Sequence, residues 1–198
     1  MRTTTTQMKS SVMLTSLILF LMACSPGEQP AEGNAGEFNT TYTNERLNRI
    51  AFPMGGMGAG MICLEGTGCI SHVSVRHQPD VFNEPFMFGA IAVRGLENGT
   101  KVLEGPVPKR KIFGAPYTGN GSSTSSYGFP RFERAAFQAQ FPFATVTLED
   151  SDIPLEVSVC GWSPFIPGDE DHSSLPVASL EYTFSNTTDS ALEMIFSY

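Results

Sequence analysis

Four ionisable side chains in a row, Asp169, Glu170, Asp171 and His172, form the densest acidic spot in the sequence. Three kinds of chemistry compete for them. They could lie in a solvated loop, bind Ca2+ through clustered carboxylates, or supply the acid and nucleophile of a sugar-cleaving enzyme. The twelve-residue ligand spacing of a helix–loop–helix calcium site is missing. Carboxyls that cleave a glycosidic bond stand about 5 Å apart in retaining enzymes and about 6.5–9.5 Å apart in inverting ones, on either side of the bond. Adjacent residues cannot be placed that way. The spacing favours the solvated loop, and no catalytic residue is assigned.

Cys63, Cys69, His72 and His77 are spaced loosely like a zinc site, but the two-residue gap of a cysteine knuckle is absent. His72 and His77, five apart on one strand, would also face opposite sides. Core cysteines and a surface histidine fit better, so neither a metal nor a cofactor is expected. Cys63 and Cys69 could instead close a local disulfide. With Cys160 the body holds three cysteines, which leaves at least one thiol unpaired. No strand–turn–helix nucleophile elbow is present. Trp162, near Phe165, could stack a sugar ring; the plainer reading is a core residue closing a strand.

Phe52 to Ile62 carries Gly55, Gly56, Gly58 and Gly60 between apolar neighbours. A phosphate-binding loop fails on spacing, because the third glycine of that pattern would fall at Met61 and no Gly-Lys-Ser/Thr follows. A flexible linker would be polar. The stretch therefore reads as a tight, half-buried turn at which other backbone comes close.

Strands must position these residues. Thr43–Ile50 predicts one short helix, capped by Thr43 or Asn44, with Leu47 and Ile50 as an apolar pair. Elsewhere period-two patterns dominate: Ser71–Arg76, Lys101–Glu104, Arg131–Phe141, Phe143–Glu149 and Leu155–Trp162. Phe86–Val93 is a nearly continuous apolar run suited to a strand buried on both faces. Val177–Ser185 and Leu192–Tyr198 predict a final hairpin around Asn186–Asp189. Gly114–Gly128 and Pro164–Pro176 read as long loops. Eight or nine short strands with almost no helix predict an all-β β-sandwich over residues 43–198. The last alternation runs to Tyr198 without a closing turn, which is what a truncated domain would show.

The N-terminus has a different character. Arg2 and Lys9 precede the apolar run Val12–Leu21, which is too short to span a bilayer. Leu21-Met22-Ala23-Cys24 resembles a bacterial lipobox. Residues 1–23 are read as a lipoprotein signal peptide, Cys24 as the lipidated residue, and 24–42 as a solvated tether. The expectation is an exported, membrane-anchored lipoprotein on the outer membrane or the periplasmic face, because three acyl chains anchor stably where one does not.

A 41% hydrophobic and 16% charged composition is globular. Removing Arg2 and Lys9 with the leader takes the formal charge from −8 to −10. That balance argues against nucleic acid or an anionic membrane surface as partner and disfavours phosphorylated substrates. Neutral sugars remain compatible.

Ile50-Ala51-Phe52-Pro53-Met54-Gly55-Gly56-Met57-Gly58-Ala59-Gly60 resembles the Phe-Pro-Leu-Gly-Gly-Ile-Gly-(Thr/Ala)-Gly signature of glycoside hydrolase family 116, which contains non-lysosomal glucosylceramidase and bacterial β-glucosidases. Three further blocks are similar: Ser74–Ile91, Arg131–Ala144 and, most specifically, Ser163-Pro164-Phe165-Ile166-Pro167-Gly168 with Ser173-Ser174-Leu175-Pro176. The resemblance implies an N-terminal β-sandwich that packs on an (α/α)6 barrel holding a catalytic Glu and Asp. No part of this sequence matches that barrel, so no catalytic residue is carried over and this chain alone is expected to be inactive. The partners implied are that barrel and, in the parent enzyme, a glycoside substrate. Gly55, Gly56, Gly58 and Gly60, with Trp162, Phe165, Asp169 and Asp171, are the candidate residues facing barrel or substrate. A free-standing carbohydrate-binding lipoprotein is the competing reading.

Overall fold

The computed structural model describes residues 40–81, 83–108, 111 and 126–198. The leader, Cys24, most of the tether and most of the Gly114–Gly128 loop lie outside the described residues.

Eleven strands are present among the described residues: β1 (Tyr42–Thr43), β2 (Ala51–Met54), β3 (Gly60–Glu65), β4 (Ile70–Val75), β5 (Ala90–Val93), β6 (Thr100–Val102), β7 (Arg134–Gln140), β8 (Phe143–Glu149), β9 (Leu155–Trp162), β10 (Ser179–Asn186) and β11 (Met194–Ser197). One short helix, α1 (Glu170–Ser173), interrupts the loop before β10. Every strand pair is antiparallel. The large sheet has the order β1-β7-β8-β9-β10; two smaller sheets have the orders β2-β3-β4 and β11-β5-β6. The all-β, sandwich-like architecture agrees with the periodicity of the sequence.

Alternation explains which side faces inward. Ala144, Val146 and Leu148 of β8 and Leu155, Val157 and Val159 of β9 are buried, while Phe143, Thr147, Glu149 and Glu156 are exposed. The inward set joins Met54, Leu64 and Ile70 of one small sheet and Ile91 and Val93 of the other in a single core. Each such aliphatic side chain contributes about 1.5–3 kcal/mol when fully buried. Gly161 lets the layers approach: a Cβ there would lie 2.6 Å from Met54 Sδ and 2.8 Å from Leu64 Cδ2.

Four expectations change. The short helix expected over Thr43–Ile50 is present as a 3-10 helix over Asn44–Arg49, but Thr43 makes no side-chain cap and only Leu47 is buried. A single buried side chain gives that segment little tertiary support for regular α-helix. Of the run Phe86–Val93, only Ala90–Val93 is strand. Phe86 and Phe88 turn instead onto Phe129, with ring centroids 5.1–6.2 Å apart, and Phe86 remains 56% exposed.

The final two strands do not form a hairpin. β10 pairs with β9, and β11 crosses to pair with β5. They meet face to face across the layers, where Phe196 lies 5.1 Å from Tyr182 and 5.8 Å from Phe184 by ring centroid. Alternation locates both strands but cannot choose between edge-to-edge and face-to-face contact. Finally, Cys63, Cys69 and Cys160 are all free thiols, so the local disulfide is absent.

Candidate functional site

Two stretches far apart in sequence form one corner. Gly55 takes φ +115°, Gly58 +75° and Gly60 +128°, a backbone path that side chains with a Cβ rarely follow. It carries the chain from β2 back into β3. Against this turn lies the Ser163–Pro176 loop. Gly55 N–H donates to Ser163 Oγ at 2.6 Å, and Met57 N–H donates to Ser173 O at 2.9 Å. Gly56 serves close approach instead, since a Cβ there would fall 2.2 Å from Leu175 O and 2.5 Å from Ser174 O. The two backbones are therefore in direct contact.

The loop is built from its own side chains. Asp169 caps α1, accepting from His172 N–H at 3.0 Å through one carboxylate oxygen and contacting His172 Nδ1 at 2.7 Å through the other. Ser173, almost wholly buried, accepts from Ile166 N–H at 2.9 Å and donates to Ile166 O at 3.1 Å. Asp169 is thus a structural cap engaged by His172, and Asp171 lies exposed on the outside of the same turn. The depression between the glycine turn and Pro176–Ala178 measures about 80 Å3. Ligand pockets generally measure about 300–1,000 Å3, so the depression is too small to engulf a sugar.

Trp162 and Phe165 belong to a second, aromatic corner. Phe165 packs edge-on to Phe141 with centroids 4.9 Å apart, and Trp162 lies 6.2 Å from Phe143. Phe141 is 67% and Phe143 47% exposed. The structure thus brings Gly55 and Gly56 to the Ser163–Leu175 backbone, but gathers Trp162 and Phe165 onto the Phe141–Phe143 turn. Trp162 lies half-buried on the outward side of β9, and neither reading of it as core nor as exposed platform is complete.

Histidine placement differs from expectation. His72 lies in β4 at φ +54°, with Nδ1 2.5 Å from Ser71 Oγ; His77 lies past the strand at φ +57°. The pair does not alternate on one strand. Among the described residues no group of three or more His, Cys, Asp or Glu side chains is arranged to hold a metal ion.

Sequence reasoning missed a buried charged network. Lys111 Nζ lies 2.7 and 2.8 Å from the two Glu65 carboxylate oxygens and 2.9 Å from Glu84 Oε1. Tyr127 donates to Glu84, Arg131 pairs with Glu104 and donates to Ser126 Oγ at 2.7 Å, and Lys101 grips Asp150 at 2.6 Å. Burial pushes the Glu104 carboxyl up, against the pull of Arg131. Burial would lower Lys111, but the Glu65 carboxylate and its neighbours outweigh it and the ammonium is raised. Burial also raises the Tyr127 phenol, and its bond to Glu84 adds to this. Each of these carboxylates is held by a cation: Lys111 ties Glu65 of β3 to Glu84, Lys101 ties β6 to Asp150 just past β8, and Arg131 holds Glu104 just past β6, so the network offers no open acid–base pair. The available sequence signal is a charge inside an apolar strand, as at Glu65 and Lys101. The partners lie too far along the chain to be read from spacing.

Residues 51–197 match the family model described as beta-glucosidase 2, glycosyl-hydrolase family 116 N-term. The chain belongs to glycoside hydrolase family 116. The matched span contains both halves of the corner, the glycine turn and the Ser163–Pro176 loop. In this family 116 N-terminal domain, two of the four stretches that carried the resemblance in sequence are therefore in contact in space. No curated protein matches the chain.

Proposed function

We propose that this chain is the non-catalytic β-sandwich of an exported, lipid-anchored β-glycosidase, a β-glucosidase or glucosylceramidase-like enzyme. In this reading the parent hydrolyses β-glucosides with retention, using a carboxylate pair on a separate barrel domain. Cys24 carries the acyl chains, and the acidic body of −10 formal charge disfavours anionic substrates. The family match over residues 51–197 carries the proposal.

Within it, the corner formed by Gly55–Gly60 and Ser163–Pro176 is the surface that meets the barrel or borders the substrate. Support comes from its construction. Met57, Ile166, Leu175 and Val177 are 43–57% exposed around a rigid backbone contact. Apolar side chains presented on a stiff frame suit contact with another protein layer. Replacing residues 165–175 by a Gly/Ser linker in the full-length parent is expected to reduce turnover of an aryl β-glucoside or lower the melting temperature. Unchanged turnover and melting would overturn the assignment of this corner.

A free-standing carbohydrate-binding lipoprotein is the second reading. The aromatic corner of exposed Phe141 and Phe143 with half-buried Trp162 and Phe165 favours it.

A further inference from the structure

The outward face of the five-stranded sheet has an order that the family match does not address. Strand register places its side chains in cross-strand rows. Gln140, Phe143, Trp162 and Ser179 form one row. Gln138, Thr145, Cys160 and Glu181 form the next, and Ala136, Thr147, Ser158 and Thr183 the third. Rows are spaced about 6–7 Å along the strands and neighbours within a row about 5 Å apart. One end of the face is therefore aromatic and the rest carries mainly neutral amides and hydroxyls. Beyond the third row an open depression of about 620 Å3 is lined by Thr147, Ser158, Thr183 and Ser185 together with the charged Arg134, Glu149, Asp150 and Glu156.

We propose that this face is a binding site for a neutral, extended oligosaccharide. Phe143 and Trp162 supply the platform, because the negative face of an aromatic ring attracts the polarised C–H groups of a pyranose. Gln138, Gln140, Thr145 and Thr183 supply donors and acceptors for hydroxyl groups. Charge selects against other ligands. Glu149, Glu156 and Glu181 are acidic, and Arg134 is engaged by Glu149 at 3.1 Å. A polyanion would be repelled. A protein partner of ordinary affinity needs about 800 Å2 with a desolvated apolar centre, which one row of two aromatic side chains does not furnish. The choice of a glycan as occupant rests on the glycosidase reading; the row order stands independently of it.

Trp162 is the chain's one tryptophan, so its emission reports on this row alone. The test titrates the chain with cellohexaose and xylohexaose, and with polygalacturonate as the anionic counterpart. A saturable emission change is expected with the neutral oligosaccharides and not with the polyanion. Phe143→Ala is expected to weaken binding at least tenfold, while Phe86→Ala, at the separate Phe86–Phe88–Phe129 cluster, leaves it unchanged. Circular dichroism establishes that both variants fold. No saturable change up to about 5 mM, above the roughly 1 mM dissociation constant of weak binding, overturns the proposal. So do unaltered binding by Phe143→Ala and dimerisation that masks Trp162 at titration concentrations. Aryl β-glucoside turnover by the full-length parent is measured in parallel. Turnover without an emission change removes the sheet-face site alone, and binding without turnover removes the glycosidase reading alone.

Discussion

The backbone N–H of Gly55 donates to Ser163 Oγ at 2.6 Å, linking stretches separated by 108 positions. Beside it, Gly56 leaves no room for a side chain against Leu175 O. Gly56→Ala is expected to destabilise the domain by about 1–3 kcal/mol, because backbone on both sides must move. Gly58 differs: nothing lies within 4 Å of a Cβ, and only its φ of +75° constrains it. Gly58→Asn should therefore cost much less, since asparagine tolerates that conformation. Urea denaturation of the two variants checks the order, and equal midpoints would contradict it.

Lys111 and Glu65 form an ion pair with both side chains under 5% exposed. Lys111→Met leaves the Glu65 carboxylate buried without its cation and is expected to cost about 3–5 kcal/mol. Pairing it with Glu65→Leu should recover most of that loss, because the buried Glu65 charge is then removed with its partner. Denaturation midpoints of the single and double variants decide. A double variant no more stable than the single would show that the charge itself is not the cost.

Burial, and secondarily the Glu65 carboxylate, pushes the Cys63 thiol from 9.0 up to about 11. At pH 8 its thiolate fraction falls about a hundredfold relative to an unperturbed thiol, so alkylation by iodoacetamide should slow by at least that factor. The same shift sets a stability trend. For a thiol the protonated form is the neutral one, so a raised folded pKa contributes stability that is complete below 9.0 and lost as pH rises towards 11. Cys63→Ala should remove that part of the alkaline decline. Peptide-resolved labelling and melts between pH 8 and 11 measure both effects.

Under the proposed lipid anchoring, Cys24→Ala in the protein expressed in bacterial cells is expected to shift it from the membrane to the soluble fraction. Retention with membranes after this substitution would place the anchor elsewhere.

Legibility in the sequence follows the range of the interaction that decides each feature. Leu155–Trp162 matches β9 residue for residue, and Phe143–Glu149 matches β8, because alternation is local. The glycine pattern implies a close backbone approach, and the structure has one. What approaches it, the Ser174–Leu175 backbone, cannot be read from spacing. The Asp169 cluster reads as a loop rather than a catalytic pair, but its capping of α1 needs coordinates. Glu65 and Glu104 each look misplaced in an apolar surrounding until their partners are known, and Lys111 sits in a basic run that gives no sign of its burial. The hairpin expectation fails for β11 because it pairs with β5 in the other sheet, which sets Phe196 on Tyr182 and Phe184 across the layers instead of beside the open edge of β10.

That crossing also bears on the order of assembly. β7 to β10 make a meander in which each strand pairs with the next in the chain, whereas β11 must find β5 across the length of the body, a span marked by the Arg94–Glu193 ion pair 99 positions apart. Loop-closure entropy opposes such a contact until most of the surface that rewards it exists. The meander is thus placed to form early and the β11–β5 seam late. In pulsed hydrogen exchange, Val146 and Val159 amides would gain protection before that of Arg94, which donates to Glu193 O across the seam. A nascent chain would meanwhile display the inner side of its largest sheet, Tyr182 and Phe184 included, to whatever chaperone or neighbour arrives first.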